Sequence, residues 1–133
     1  RKGEFPLPEK EAVKLPSGAV DIELSAAGNG PFRVMLEDGV SGSAMVLEAE
    51  GTQARLAFSG SLGAGRKERL AVLDREIEDV RILLDVSIAE IYINGGETVF
   101  TTRLYPQGEG MTLRTEGGEG RGWEMGGFQM RKG

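Results

Sequence analysis

Hydrophobic and polar residues alternate along most of the chain with a period of two, which is the spacing of a β-strand that buries one face. The alternation begins at Ala19, where Val20, Ile22 and Leu24 are separated by acidic residues. Similar runs follow at intervals of about 8–12 residues, with turn-forming residues between them. We therefore predict about ten strands, at 19–26, 32–36, 43–49, 53–58, 68–73, 80–84, 89–93, 98–104, 111–115 and 122–130.

Two packed sheets account for this pattern. No repeat of fixed period indicates a solenoid or a propeller, and the 133 residues are enough for one domain. The sequence Asn94-Gly95-Gly96 between two alternating runs predicts a hairpin, because asparagine and glycine tolerate positive φ. We predict an all-β fold over 19–133, a two-sheet antiparallel β-sandwich of the jelly-roll or concanavalin-like kind.

The first 18 residues follow a different pattern, with prolines at 6, 8 and 16 and a charged run at 9–11. Proline fixes φ and lacks an N–H donor, so we predict that 1–18 is a lead-in or interdomain segment lying over another surface. On this segment Phe5, Leu7 and Leu15 are predicted to form an exposed apolar strip.

Composition excludes several kinds of site. The chain has no histidine and no cysteine, which excludes thiol nucleophiles, disulfides, imidazole or thiolate metal ligands and imidazole-based triads. A formal net charge of −5 argues against nucleic acid or an anionic membrane as partner. We predict no cofactor and no metal site. The first residues include neither an initiator methionine nor a signal peptide, so we expect a piece of a longer chain.

The most distinctive motif lies between the predicted strands of the second half. It is formed by Asp85, Ser87, Glu90, Asn94, Gly96, Glu97, Phe100, Thr101, Arg103, Tyr105 and Pro106, with Trp123 in a further stretch near the end. This pattern resembles a segment of glycoside hydrolase family 32, which comprises invertases, sucrose-6-phosphate hydrolases, inulinases and levanases. The likeness covers roughly 8–130 and departs at Ile88, where a second serine is common in the family.

The resemblance implies a non-catalytic C-terminal β-sandwich of a family 32 β-fructofuranosidase that hydrolyses sucrose or sucrose-6-phosphate with retention. In that family an N-terminal β-propeller holds the catalytic residues, in Asn-Asp-Pro-Asn, Arg-Asp-Pro and Glu-Cys segments that this sequence lacks. The resemblance therefore implies this propeller as the partner within the parent chain, and the family residues named above as structural. A homodimer and a bacterial cytoplasmic location are further expectations. The alternatives are a stand-alone carbohydrate-binding module for fructan or sucrose and a stand-alone assembly protein.

Two pairs of charged residues suggest chemistry of their own. Asp85 and Glu90 are five positions apart and would lie on opposite faces of an extended chain, which argues against an acid–base pair. We favour side-chain hydrogen bonds from Asp85 and Ser87 that close a turn. Glu97 and Arg103 share one strand face, which predicts either a cross-strand or interdomain ion pair or a solvated surface.

The remaining candidates have ordinary explanations. Burial of Trp123 in the core is favoured over stacking on a sugar ring, and Tyr92 and Tyr105 are the other aromatic candidates. The Glu37-Asp38-Gly39 corner predicts a turn, since one acidic pair supplies too few oxygens for calcium. The run 66–69 predicts a solvated strand edge, since it is short and has no aromatic neighbour for binding nucleic acid.

Overall fold

The computed structural model describes residues 2–28, 30–60, 62–63, 68–106 and 110–125. These residues form twelve strands and one 3₁₀ turn, Asn94–Gly96, between the ninth and tenth strands. The strands are β1 (Lys2–Leu7), β2 (Val13–Lys14), β3 (Ala19–Ala26), β4 (Phe32–Glu37), β5 (Ala44–Glu50), β6 (Gln53–Ser59), β7 (Glu68–Val72), β8 (Asp79–Asp85), β9 (Ile88–Ile93), β10 (Thr98–Arg103), β11 (Thr112–Glu116) and β12 (Gly118–Glu124).

The strands form two six-stranded sheets, which confirms the predicted all-β sandwich. Sheet A has the order β1-β12-β3-β8-β9-β10, and sheet B has the order β2-β11-β4-β5-β6-β7. Neighbouring strands within each sheet are antiparallel. The ten predicted strands correspond to β3–β12, although the last prediction continues into 126–130, outside the described residues. No helix in the described part of the chain is long and apolar enough to cross a bilayer.

The core lies between the sheets, where inward-facing aliphatic side chains meet. Ile22, Ile82 and Ile91 of sheet A and Leu36 and Leu56 of sheet B are at most 2% exposed. Because side chains alternate along a strand, the residues between them face outward and are mostly polar. The period-two pattern of the sequence therefore marks the two inner faces of the sandwich.

The segment 1–18 supplies two strands that were not predicted. β1 pairs with β12 in sheet A, and β2 pairs with β11 in sheet B. Leu7 and Leu15 are 1% and 5% exposed and Phe5 packs against the core, so the predicted exposed strip is wrong. Pro6 is tolerated because β1 is an edge strand, where no second neighbour needs its missing N–H. The division of the chain at residue 18 stays a prediction.

Glycines occupy the inward-facing positions of β12. A Cβ at Gly122 would lie 2.5 Å from the ring of Phe5, and one at Gly118 would lie 2.8 Å from the ring of Phe32. A Cβ at Gly120 would overlap the carbonyl oxygen of Glu23 in β3. The two aromatic rings therefore fill space that side chains of β12 leave empty, and β12 lies against β3 without room for a methyl group.

The substitution Gly120→Ala should lower the free energy of unfolding by about 3 kcal/mol, because the added methyl must displace backbone rather than a flexible side chain. Urea unfolding of the purified chain measures this change. Gly30→Ala is the matched control, since a Cβ there meets nothing within 4 Å, and it should change the stability by less than about 0.5 kcal/mol. Equal effects of the two substitutions would contradict the close approach of β12 to β3.

Candidate functional site

Asn94 holds the β9–β10 hairpin to the segment before β8. It adopts φ 54°, and Gly95 and Gly96 also have positive φ, as predicted for this turn. Its side-chain Oδ1 accepts hydrogen bonds from the N–H groups of Glu78 (2.7 Å) and Asp79 (3.3 Å), and its Nδ2 donates to the carbonyl of Glu76 (3.0 Å). Asn94 is 4% exposed, so these bonds satisfy a buried amide. This family-like residue has a role within the fold itself.

Glu97 and Phe100 also contact other parts of the sandwich. The carboxylate of Glu97 accepts hydrogen bonds from Arg75 at 3.2 Å. The pKa of Arg75 is raised by its hydrogen bond to Glu78 and, next, by its hydrogen bonds to Glu97. Phe100 is 6% exposed, and the guanidinium of Arg69 lies 5.7 Å from the centre of its ring. Glu97 therefore pairs with an arginine that the sequence did not indicate.

Arg69 links the two sheets along one side of the sandwich. It lies on β7, the edge of sheet B, and its Nη2 donates a 2.8 Å hydrogen bond to the carbonyl of Thr101 on β10, the edge of sheet A. Glu68 and Arg69 are exposed on this edge strand, as predicted for 66–69, of which 66 and 67 lie outside the described residues. The hydrogen bond from Arg69 to the other sheet was not predicted.

The β8–β9 turn brings Asp85 and Glu90 to the same face of sheet A. Asp85 pairs with Ile88, and Leu83 pairs with Glu90, so both acidic side chains point outward. The expectation of opposite faces is wrong because the chain reverses direction between them. The turn itself is held by backbone bonds, since the N–H of Val86 donates to the carbonyl of Gly18 at 2.8 Å.

Glu90 accepts a 2.9 Å hydrogen bond from the hydroxyl of Tyr92. This bond stabilises the protonated phenol and raises the pKa of Tyr92 above its usual value, with desolvation as a smaller cause. The pair lies beside a groove of about 510 Å³ on the outer face of sheet A, which is lined by Glu23, Ser25, Asp79, Arg81, Leu83 and Tyr92 among others.

Asp21 is buried on this outer face although it carries a carboxylate. Arg81 binds it through two parallel hydrogen bonds, from Nε to Oδ1 at 3.0 Å and from Nη2 to Oδ2 at 2.8 Å. The hydrogen bond to Asp21 raises the pKa of Arg81, so the guanidinium stays charged. Sequence reasoning missed this pair, although an acidic residue between Val20 and Ile22 was its signal.

Trp123 lies opposite Asp21 on the neighbouring strand. It is half-buried on the outer face of sheet A, so the favoured burial in the core is wrong. The reason is the alternation of β12, in which Gly122 takes the inward position beside Phe5 and the next residue must point outward. The aromatic ring therefore belongs to the surface that also carries the Tyr92 groove.

Other residues of the motif that resembles family 32 lie together at one end of the sandwich, beside the β8–β9 turn. Asp85, Arg103 and Tyr105 are exposed there, and the N–H of Leu104 donates to the carbonyl of Ser87 at 2.8 Å. Pro106 helps to line a second groove, of about 560 Å³, between the segments 14–18, 84–86 and 106–111 as far as these are described.

The acidic corner at Asp38 forms a turn, as predicted. Its side chain is fully buried and accepts hydrogen bonds from the N–H of Val40 at 3.0 Å and from the hydroxyl of Ser41 at 3.1 Å. Among the described residues, no group of three acidic, histidine or cysteine side chains is arranged to hold a metal ion.

The chain is similar to one family and to several solved structures. The family model described as "Glycosyl hydrolases family 32 C terminal" matches residues 10–128. A sucrose-6-phosphate hydrolase from Lactobacillus gasseri superposes with a TM-score of 0.73 at 22% identity, covering 94% of this chain and 28% of that one. A β-fructofuranosidase from Bombyx mori gives 0.72 at 13% identity, covering 92% and 26%. An exo-inulinase from Aspergillus awamori gives 0.62 at 16% identity, covering 90% and 26%.

At these identities the superpositions show a shared fold. The chain spans between 26% and 28% of the length of these three enzymes. No curated protein matches the chain significantly.

The substitution Arg81→Met should destabilise the chain by about 2–3 kcal/mol at neutral pH, because it leaves a buried carboxylate without its arginine. The double variant Asp21→Asn with Arg81→Met should lose less than the sum of the two single losses. A double-mutant cycle of urea unfolding measures this coupling. Strictly additive losses would show that the two side chains do not interact.

The substitution Asn94→Ala should lower the free energy of unfolding by about 2–3 kcal/mol. It removes three hydrogen bonds, and alanine is strained at positive φ without a side chain that could bond to the backbone. Asn94→Gly should cost less, since glycine loses the same bonds but adopts φ 54° without strain. Thermal unfolding of both variants gives the comparison. If alanine were tolerated as well as glycine, the left-handed conformation of this residue would be wrong.

Proposed function

The chain belongs to the family of glycosyl hydrolase family 32 C-terminal domains, and from this membership we propose that it is the non-catalytic β-sandwich of a longer glycosidase. Its role is to support an N-terminal catalytic β-propeller of the same parent chain. The match over 10–128 carries the proposal, since it takes in nearly all of the sandwich. A homodimer of the parent and a bacterial cytoplasmic location complete the proposal, and these two parts rest on the family resemblance alone.

The parent is proposed to be a retaining β-fructofuranosidase that hydrolyses sucrose or sucrose-6-phosphate. Support comes from the superposed structures, which are named as a sucrose-6-phosphate hydrolase, a β-fructofuranosidase and an exo-inulinase. Each of them is between three and four times as long as this chain, since the matched part is 26–28% of its length. The remaining length is where the proposal locates the chemistry.

The electrostatics of the sandwich support a non-catalytic role. Retaining glycosidases use two carboxyl groups about 5–5.5 Å apart, one of which must stay protonated to act as the acid. In this chain Asp21 is paired with Arg81, and Glu97 with Arg75. Both carboxylates are therefore bound by arginine side chains, which a substrate would have to displace before it could reach them.

The Tyr92 groove favours a second candidate function, binding of sucrose or fructan by the sandwich itself. A phenol ring beside the carboxylates of Glu23 and Asp79 offers stacking and hydrogen-bond acceptors to a sugar hydroxyl. Trp123 lies on the same outer face and would report such binding by its fluorescence. We rank this second because Tyr92 and Arg81 are already bonded to acidic side chains.

An antibody raised against this chain should detect a native protein about three and a half times heavier than the chain, in proportion to the 26–28% that it spans of the superposed enzymes. That protein, recovered by the antibody, should hydrolyse sucrose or sucrose-6-phosphate, whereas the purified 133 residues should hydrolyse neither. Release of reducing sugar measures both activities.

Two results would contradict the proposal: a native band at the size of the chain itself, or sucrose turnover by the purified chain. Titration of the chain with sucrose and inulin, followed by Trp123 fluorescence, tests the second candidate. A saturable change that is lost in Tyr92→Ala would bring sugar binding to the front. No change at millimolar sugar would retire it.

A further inference from the structure

Large hydrophobic side chains are exposed at one end of the sandwich. We call it the Val86 end and define it by the loops 15–18, 38–43, 86–87 and 104–106. Val40, Val86 and Tyr105 are 64%, 69% and 43% exposed there. Hydrogen bonds join three of these loops, since Val86 donates to the carbonyl of Gly18, and the carbonyl of Ser87 accepts from the N–H of Leu104. The fourth loop lies against Gly110 of the same groove, because a Cβ at Gly39 would lie 3.0 Å from the carbonyl oxygen of Gly110. The end is therefore one connected surface.

Val86 occupies a backbone conformation that does not suit valine. It is the first of two residues between the paired positions Asp85 and Ile88, and it has φ 60°. Positive φ at only the first position of a two-residue hairpin loop is the pattern of a type II′ turn, which usually holds glycine there. A β-branched side chain in this region is strained, so the backbone of Val86 costs stability in the folded chain, while its exposed side chain gains nothing from burial.

The groove at this end extends the apolar surface inward. Leu15, Pro16, Leu84 and Met111 line it together with Val86, and its volume is about 560 Å³. Its walls have few charged groups, Lys14 being the one charged residue among the described residues that line it. An inserted apolar side chain would therefore be shielded from water at this point.

The outer face of sheet B offers a different surface. Arg33, Glu48, Arg55 and Glu68 form a continuous row of ion pairs across β4, β5, β6 and β7, with N–O distances of 3.1, 3.0 and 2.5 Å. These charges satisfy one another while remaining about 40% exposed, and a partner would have to desolvate all of them. Lys14 is the one charged residue among the described residues that line the groove of the Val86 end, so a partner that enters this groove would desolvate fewer charges.

We propose that the Val86 end is the surface by which this domain docks onto the catalytic portion of its parent glycosidase. The inference rests on the proposed function, and the superposed enzymes contain about two and a half times this chain's length outside the matched part. That portion must contact the sandwich somewhere, and burial of exposed apolar surface is the main driving force for such contact. Of the residues that carry the family resemblance, Asp85, Arg103 and Tyr105 are exposed at this end.

Docking explains why a strained, exposed valine is present. In the isolated domain Val86 only destabilises, whereas in the parent its side chain is covered and contributes to the contact. Val86→Asn removes the backbone strain, because asparagine tolerates positive φ, and it removes the apolar contact, because asparagine is polar. The domain's own stability and its docking should therefore change in opposite directions, which a purely structural role for Val86 would not produce.

The experiment compares hydrogen exchange of the isolated chain and of the parent protein. In the parent, amides at 84–88 and 104–106 should exchange at least about tenfold more slowly than in the isolated chain, as expected for a buried contact. Val86→Asn should raise the melting temperature of the isolated chain by about 4 °C. In the parent, the same substitution should reduce the added protection about tenfold.

Two control variants separate strain from contact. Lys10 also has positive φ (67°) but bonds to Thr115 along the side of the sandwich. Lys10→Asn should raise the melting temperature as Val86→Asn does, and should leave the added protection in the parent unchanged. Val72 is 78% exposed on β7, and Val72→Asn should likewise leave this protection unchanged.

Several outcomes would overturn the inference. Protection that appears on the outer face of either sheet instead would place the contact elsewhere, and unchanged protection in Val86→Asn would remove the valine from it. Sedimentation that shows the isolated chain as a dimer, lost in Val86→Asn, would make a second copy the occupant. If no heavier native protein exists, the proposed function fails; if it exists and protection maps elsewhere, only the docking surface fails.

Discussion

The close approach of β12 to β3 is the constraint on which the rest of sheet A depends. Glycines at 118, 120 and 122 leave three successive inward positions of β12 without a side chain. The rings of Phe5 and Phe32 fill the space, which draws β1 into the sheet and buries the start of the chain. The same alternation turns Trp123 outward beside Asp21. One row of glycines therefore determines both the edge of the core and the outer surface of sheet A.

The family-like residues divide into two groups with different physical roles. Asn94 and Phe100 face into the molecule, where Asn94 satisfies buried backbone groups and Phe100 closes the core beneath Arg69. Asp85 and Tyr105 instead lie at the exposed end of the sandwich. The first group fixes the β9–β10 hairpin to the rest of the sandwich, and Tyr105 of the second group follows directly after β10. A domain built in this way is suited to present a surface to a partner.

The charges of the sandwich are arranged for structure. Arg81 neutralises Asp21 on sheet A, and alternating arginines and glutamates cover the outer face of sheet B. Such pairs occupy the carboxylates with arginine side chains and orient both partners, which suits a supporting domain. The parent's catalytic chemistry is accordingly assigned by the proposal to the part of the enzyme that this chain does not span.

The sequence by itself determined the ten strands from β3 to β12, the sandwich class and the Asn94 turn, because alternation and turn residues are local signals. The family followed separately, from the resemblance of the motif between Asp85 and Pro106. The tertiary structure decided which strands lie side by side and which side chains face outward, because both depend on residues far away in the sequence. Pro6 hid a real edge strand, since the sequence does not show which strand lies beside β12. Trp123 faces outward because Phe5 occupies the space opposite Gly122. Asp85 and Glu90 share a face only because the chain turns between them: local patterns predict strands, and pairing decides faces.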